Sequence, residues 1–153
     1  MTGYYWIFCT VLSASTDSAV IGILVHDSDI LYLPLFENGR PVDRYVSDPE
    51  YFGPIESSEK QAQAGHADRW AGLLVDGIRP DRLRTIWDTQ NIFAEDLLKQ
   101  VAQAIGLSTK SCLVGFNSLG SEGRDSEILT KLSFRRTRPS SAEAAEMFML
   151  LGV

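Results

Sequence analysis

AVIGILVHDSDILYLPLF, residues 19–36, is the stretch whose reading decides the fold. Two apolar runs, 19–25 and 30–36, flank His26-Asp27-Ser28-Asp29, and a short polar insert between β-favouring runs predicts a hairpin. Gly22 inside the first run marks a bulge or a close backbone approach. Pro34 has no N–H to give a ladder, so it places the second run at a sheet edge or kinks it there.

Working outward, Glu37-Asn38-Gly39-Arg40 is the sharpest local signal, because Asn-Gly supplies the two positive-φ residues of a tight hairpin turn. A returning strand over 42–46 follows from it. Upstream, the run YYWIFCTVL at 4–12 is rich in aromatic and β-branched residues and ends in the polar cluster 13–18, which predicts a first strand apolar on both faces. These pieces make an antiparallel meander of about four strands.

Further on, 47–57 holds two prolines and a glycine and reads as an irregular loop packed by Tyr51, Phe52 and Ile55. Ser58-Glu59-Lys60-Gln61 has the form of a capping box opening a helix over 59–75, with Ala67, Trp70, Ala71 and Leu74 on one stripe, Gly65 as a weak point and Gly77 as its end. After Arg79-Pro80-Asp81, the alternation in RLRTIW at 82–87 suits a fifth strand. The clearest helix is 91–105, whose Ile92, Ala94, Leu97, Leu98, Val101, Ala104 and Ile105 keep helical spacing up to Gly106. SCLVGF at 111–116 is a short buried strand, 117–124 a glycine-rich loop, 127–136 is open between strand and helix, and Ser140-Ser141-Ala142-Glu143 opens a last helix. The fold class is therefore α+β: one domain over 1–153, an N-terminal antiparallel meander extended by one or two later strands and covered by three helices.

Composition bounds the function. A chain of 153 residues, 44% hydrophobic and 22% charged, buries roughly two thirds of the surface of its unfolded form. No apolar run approaches the ~20 residues that cross a bilayer, and the aromatic start has no basic region of a secretion signal, so the expectation is a cytoplasmic protein without a membrane segment. Cys9 and Cys112 each sit in apolar runs and read as small buried hydrophobes, although one disulfide between them stays open. With His26 and His66 they lack the paired spacing of a zinc site. The charge is uneven: 4 basic against 11 acidic residues over 1–76 gives −7, while 10 against 9 over 77–153 gives +1. An acidic front half disfavours nucleic acid and favours a basic partner.

The order of elements resembles the ribonuclease H-like fold, and Ile86-Trp87-Asp88-Thr89-Gln90 is similar to its fourth strand, which ends in an acidic residue followed by Ser or Thr. That resemblance implies a metal-dependent nuclease with Asp88 as a metal ligand. The family's first strand carries a central Asp where this chain has Ile7, Phe8, Cys9 and Thr10, and its first-helix Glu has its nearest counterpart in Glu59, at the very start of the predicted helix. Other constellations are thinner. His26-Asp27-Ser28-Asp29 is first of all a turn, and His66 and Asp68 diverge at i, i+2 on a helix. Ser118 and Ser121 lack a nucleophile elbow, and Gly115, Gly120 and Gly123 form no phosphate loop.

The reading that remains is a non-catalytic protein-binding or regulatory protein of inhibitor, immunity or accessory-subunit type, needing no cofactor. Its partner surface is assigned to Asp43, Tyr45, Asp48, Glu50, Tyr51 and Phe52, and Lys131, Arg135, Arg136 and Arg138 form a patch for phosphate or an acidic partner. A small self-assembling protein or homodimer is the other alternative.

Overall fold

The computed structural model describes residues 2–89 and 93–113, with the side chains of 2–5 and 111 left aside. The elements in chain order are helix α1 (Thr2–Thr16), strands β1 (Val20–Ile21), β2 (Leu24–His26), β3 (Ile30–Glu37) and β4 (Arg40–Val46), helix α2 (Ser57–Gln63), a 3-10 helix (Ala67–Leu73), and helices α3 (Pro80–Trp87), α4 (Ala94–Ala104) and α5 (Thr109–Cys112). The class is α+β, with one antiparallel sheet of four strands. Among the described residues the strands end at Val46. The last helix, the 127–136 segment, the 117–124 loop and the basic patch Lys131, Arg135, Arg136 and Arg138 lie outside the described residues, as do Asn91 and Ile92 of the predicted 91–105 helix.

The organising hairpin forms as its pattern requires. His26, Val25 and Leu24 pair with Ile30, Leu31 and Tyr32, and Ile21 and Val20 continue the same register against Leu35 and Phe36. Between the two paired stretches, Gly22 N–H donates to Pro34 O at 2.9 Å, and Pro34 has no N–H to return the bond. The predicted single strand 19–25 is thus two short strands on one line, and Pro34 stands in β3, the strand to which the other three pair, rather than at an edge. Asp27 and Ser28 turn the chain with φ of 49° and 63°, and Asn38-Gly39 does so with 50° and 73°, both as tight hairpin turns demand.

Two strand expectations are corrected. Residues 4–12 belong to helix α1. An uncharged run that is apolar all round carries no period, so β propensity misleads there. The hydroxyls that interrupt it are satisfied within the helix: Thr10 Oγ1 donates to Trp6 O at 2.9 Å and Thr16 Oγ1 to Leu12 O at 2.8 Å. Residues 82–87 belong to helix α3, which starts with Pro80 in its first turn beside Asp81 and buries Leu83, Ile86 and Trp87 at i, i+3, i+4 spacing. At 111–116, Ser111 and Cys112 lie in α5.

The helix expected over 59–75 is also divided. Helix α2 ends at Gln63, Gly65 adopts φ +73°, and Ala64 forms an isolated antiparallel bridge with Tyr45 before the 3-10 helix begins. Its N-cap is Glu56 without a side-chain cap bond, so the Ser58 capping box does not form. Of the predicted stripe, Ala67 and Trp70 are buried while Ala71 is exposed. Helix α4 agrees with its periodicity, burying Ala94, Leu97, Leu98, Val101 and Ala104, and Gly106 follows with φ +71°.

The described residues fall into two compact units: 2–22 with 34–42, and 23–33 with 43–89 and 93–113. In the first, Trp6 meets Phe36 edge-on at 4.8 Å, and Ser13, fully buried, accepts the Gly39 N–H at 3.0 Å. In the second, Leu31, Leu33, Trp70, Leu83, Leu98 and Val101 are at most 1–2% exposed and make the core. The turn between β2 and β3 is tied to the start of α4 by Ala94 N–H to Ser28 O at 2.8 Å and Ser28 Oγ to Glu95 Oε1 at 2.8 Å.

Candidate functional site

Both candidate sites lie in the second unit. Strand β4 alternates, so Asp43 and Tyr45 share the inward face while Arg40 is exposed. The Asp43 side chain is 2% exposed. Its Oδ2 accepts the backbone N–H of His66 at 2.7 Å and the indole Nε1–H of Trp70 at 2.7 Å. Its Oδ1 meets His66 Nδ1 at 2.8 Å and the Arg69 guanidinium at 3.6 Å. A buried carboxylate is tolerated only when its lone pairs are filled in this way. His66 and Asp68 do diverge, as their spacing requires: His66 meets Asp43, and Asp68 meets Arg84 at 3.3 Å. Separations of 23 and 27 residues leave no sequence signal for the Asp43 cluster.

Tyr45 stacks on Trp87 at 4.7 Å and 10°, and its hydroxyl donates to Trp87 O at 3.2 Å. Burial pushes the Tyr45 phenol well above its ordinary value, and the nearby Asp88 carboxylate adds to this. Because the folded state holds that proton while the unfolded chain releases it near pH 10, stability falls as pH rises past that point. In a urea series between pH 8 and 11 the midpoint of wild type should drop more steeply than that of Tyr45→Phe; parallel curves would refute the assignment.

Of the residues assigned to a partner surface, Asp43 and Tyr45 are therefore interior, 7% and 4% exposed, whereas Asp48, Glu50, Tyr51 and Phe52 face solvent. Tyr51 and Phe52 meet edge-on at 5.0 Å, and His26 lies 6.2 Å from Tyr51 and 5.3 Å from Phe52. Tyr51 Oη donates to Asp29 Oδ2 at 3.1 Å, which raises the phenol's pKa. Glu50 N–H donates to Asp48 Oδ1 at 3.1 Å, and Lys60 pairs with Glu50. The turn His26-Asp27-Ser28-Asp29, read from sequence only as a turn, thus contributes a ring and a carboxylate to an exposed aromatic knob.

Asp88 sits at the C-terminal cap of α3, so Ile86-Trp87-Asp88 is helix end and not the fourth strand of a ribonuclease H-like order. Among the described residues no group of three or more His, Cys, Asp or Glu side chains could hold a metal ion. Asp88 does line an open cavity of about 590 Å³ with Asp29, Asp48, Tyr45, Trp87 and Phe93. Cys9 and Cys112 are free, the first buried and the second half-buried, and burial raises both thiols. Among the described residues no helix is long and apolar enough to cross a membrane.

Fold and site together define a small α+β protein with a hydrogen-bonded carboxylate, Asp43, buried in an apolar core, and an exposed acidic and aromatic face. The chain matches no protein-family model, no curated protein and no solved structure.

Proposed function

We propose that this chain is a non-catalytic protein-binding protein of inhibitor, immunity or accessory-subunit type, which engages a basic partner through Tyr51, Phe52 and the carboxylates around them. One observation carries the reading: Phe52 is 80% exposed, at the tip of a knob braced by Tyr51 and His26. A phenylalanine so placed gains about 2 kcal/mol when a partner covers it, and aromatic anchors are the usual centres of protein interfaces. Asp48 and Glu50, on the same loop, supply the charge that selects a basic surface and speeds encounter.

The test is quantitative capture of the tagged chain from its native host, read by mass spectrometry. Wild type should retain one near-equimolar protein. Phe52→Ala, and separately Asp48→Lys with Glu50→Lys, should lose it while the unfolding midpoint shifts by less than about 0.5 kcal/mol, as for other surface changes. Equal capture by all three chains would overturn the surface, and recovery of the chain alone would favour self-assembly.

A further inference from the structure

Helix α1 turns its large apolar side chains away from the fold. At about 3.6 residues per turn, Cys9 and Ser13 share one face, and Ile7, Phe8, Val11 and Ser15 share the opposite one. The inner face is buried and built of small side chains, so the Asn38-Gly39 turn lies close against it. Ser13 accepts the Gly39 N–H at 3.0 Å, and a Cβ on Gly39 would stand 3.0 Å from that of Ala14. The outer face leaves Ile7 60%, Val11 46% and Phe8 43% exposed. A surface helix of a lone chain has the reverse arrangement, and apolar residues gathered in solvent mark an interface.

Charge and spacing together say what fits that face. Residues 1–16 contain no Asp, Glu, Lys or Arg, although the whole chain carries −6. Two copies therefore repel one another elsewhere, and α1 is where they can approach with least opposition. The same lack of charge offers a basic or acidic partner nothing to pair with. Phe8, Val11 and Ser15 are spaced by three and then four residues, and Ile7 and Val11 by four, the intervals of a seam between two packed helices. Val11 stands midway between Ile7 and Ser15, so the seam can meet its own copy across a two-fold axis.

We propose that α1 pairs with the α1 of a second copy of this chain in a two-fold dimer, with Val11 meeting Val11 at the axis and Ile7 and Phe8 packed beside it. This pairing uses no residue of the 47–57 loop and stands apart from the partner-binding reading. Because the chain's charged residues all lie outside the seam, salt screens the repulsion between copies without weakening the apolar contact. Added salt therefore tightens the dimer.

Sedimentation equilibrium of the full chain tests the pairing. Between about 1 and 300 µM the mass should rise from one chain toward two, and at lower concentration when NaCl is raised from about 0.05 to 0.5 M. Ile7→Glu and Val11→Glu should each weaken association at least about tenfold, because every added carboxylate faces a seam that carries the same one. Both positions are exposed, so the unfolding midpoint of each variant at about 1 µM should match that of wild type. Val11→Cys should oxidise to a covalent dimer well ahead of wild type, whose Cys9 is buried. A mass of one chain at every concentration overturns the proposal. If Val11→Glu then also lowers the midpoint, the face is covered within the chain; if wild type but not Val11→Glu floats with phosphatidylcholine vesicles, lipid covers it. A dimer that survives both glutamate variants, or that salt weakens, overturns it too. So does one that Phe52→Ala abolishes, since self-association would then run through the knob, whereas loss of partner capture alone in Phe52→Ala leaves the α1 pairing standing.

Discussion

Asp43→Ala should lower the stability of the fold by about 3–5 kcal/mol, the largest loss expected from any single side chain in the polar interior. The substitution removes the acceptor for two donors at 2.7 Å, His66 N–H and Trp70 Nε1–H, and the partner of His66 Nδ1 at 2.8 Å. Trp70 is completely buried, so its N–H has no water to turn to. The ionic part of the cluster contributes less, because the Arg69 side chain is 54% exposed and its charge is screened. Asp43→Asn is the instructive partner: one amide oxygen can still serve a donor, while its NH₂ faces the others. It should cost roughly half as much, as expected when hydrogen bonds and not net charge dominate. Urea unfolding followed by tryptophan fluorescence measures both. A loss under about 1 kcal/mol for Asp43→Ala would mean that the cluster reorganises or admits water, and that its geometry is not what fixes the segment from His66 to Trp70.

Gly65→Ala should cost about 3 kcal/mol, from two sources that can be separated. Gly65 has φ +73°, where an alanine is strained by about 1 kcal/mol. The added Cβ would also stand 2.8 Å from Trp87 Cζ3, 3.1 Å from Cη2 and 3.2 Å from Cε3. That ring cannot yield easily, being stacked on Tyr45 at 4.7 Å and met edge-on by Trp70 at 5.6 Å. Overpacking of this kind adds roughly 1–3 kcal/mol. Gly77 provides the control, with φ +86° and open space around its Cβ position. Gly77→Ala should therefore lose only the backbone part. If the two alanine variants lose the same stability, the contact with Trp87 is not a constraint and the break between α2 and the 3-10 helix has another origin.

These two positions also mark where local pattern underdetermines the fold. Gly65 was legible as a weak point of a long helix, but the residue that forbids a side chain there, Trp87, lies far along the chain and was itself read as part of a strand. The 82–87 segment carried both an alternating and a helical pattern. Tertiary burial of Leu83, Ile86 and Trp87 decided between them. Helix α1 is the opposite case: a run without charges has no face to reveal its period. Asp43 was chosen from sequence as a surface contact because it lies in an acidic stretch, and charge alone does not tell an exposed carboxylate from one that organises the interior.

What the sequence by itself determined is everything whose cause lies within a few residues. The hairpin about Asp27 and Ser28, the Asn38-Gly39 turn, the amphipathic helix from Ala94 to Ala104 and its end at Gly106 follow from backbone sterics and local periodicity. Exposure of the Tyr51-Phe52 knob was half legible, since aromatic residues in a loop rich in proline and glycine are marked, but not buried, by that context. Only the tertiary structure decided which carboxylates meet which donors: His66 and Trp70 on Asp43, Tyr51 on Asp29, and Asp29, Asp48 and Asp88 around one cavity. The physical reason is that a hydrogen bond or a shared cavity requires atoms within a few ångströms in space, and the distance along the chain between such groups is set by how the elements pack, which no local pattern records.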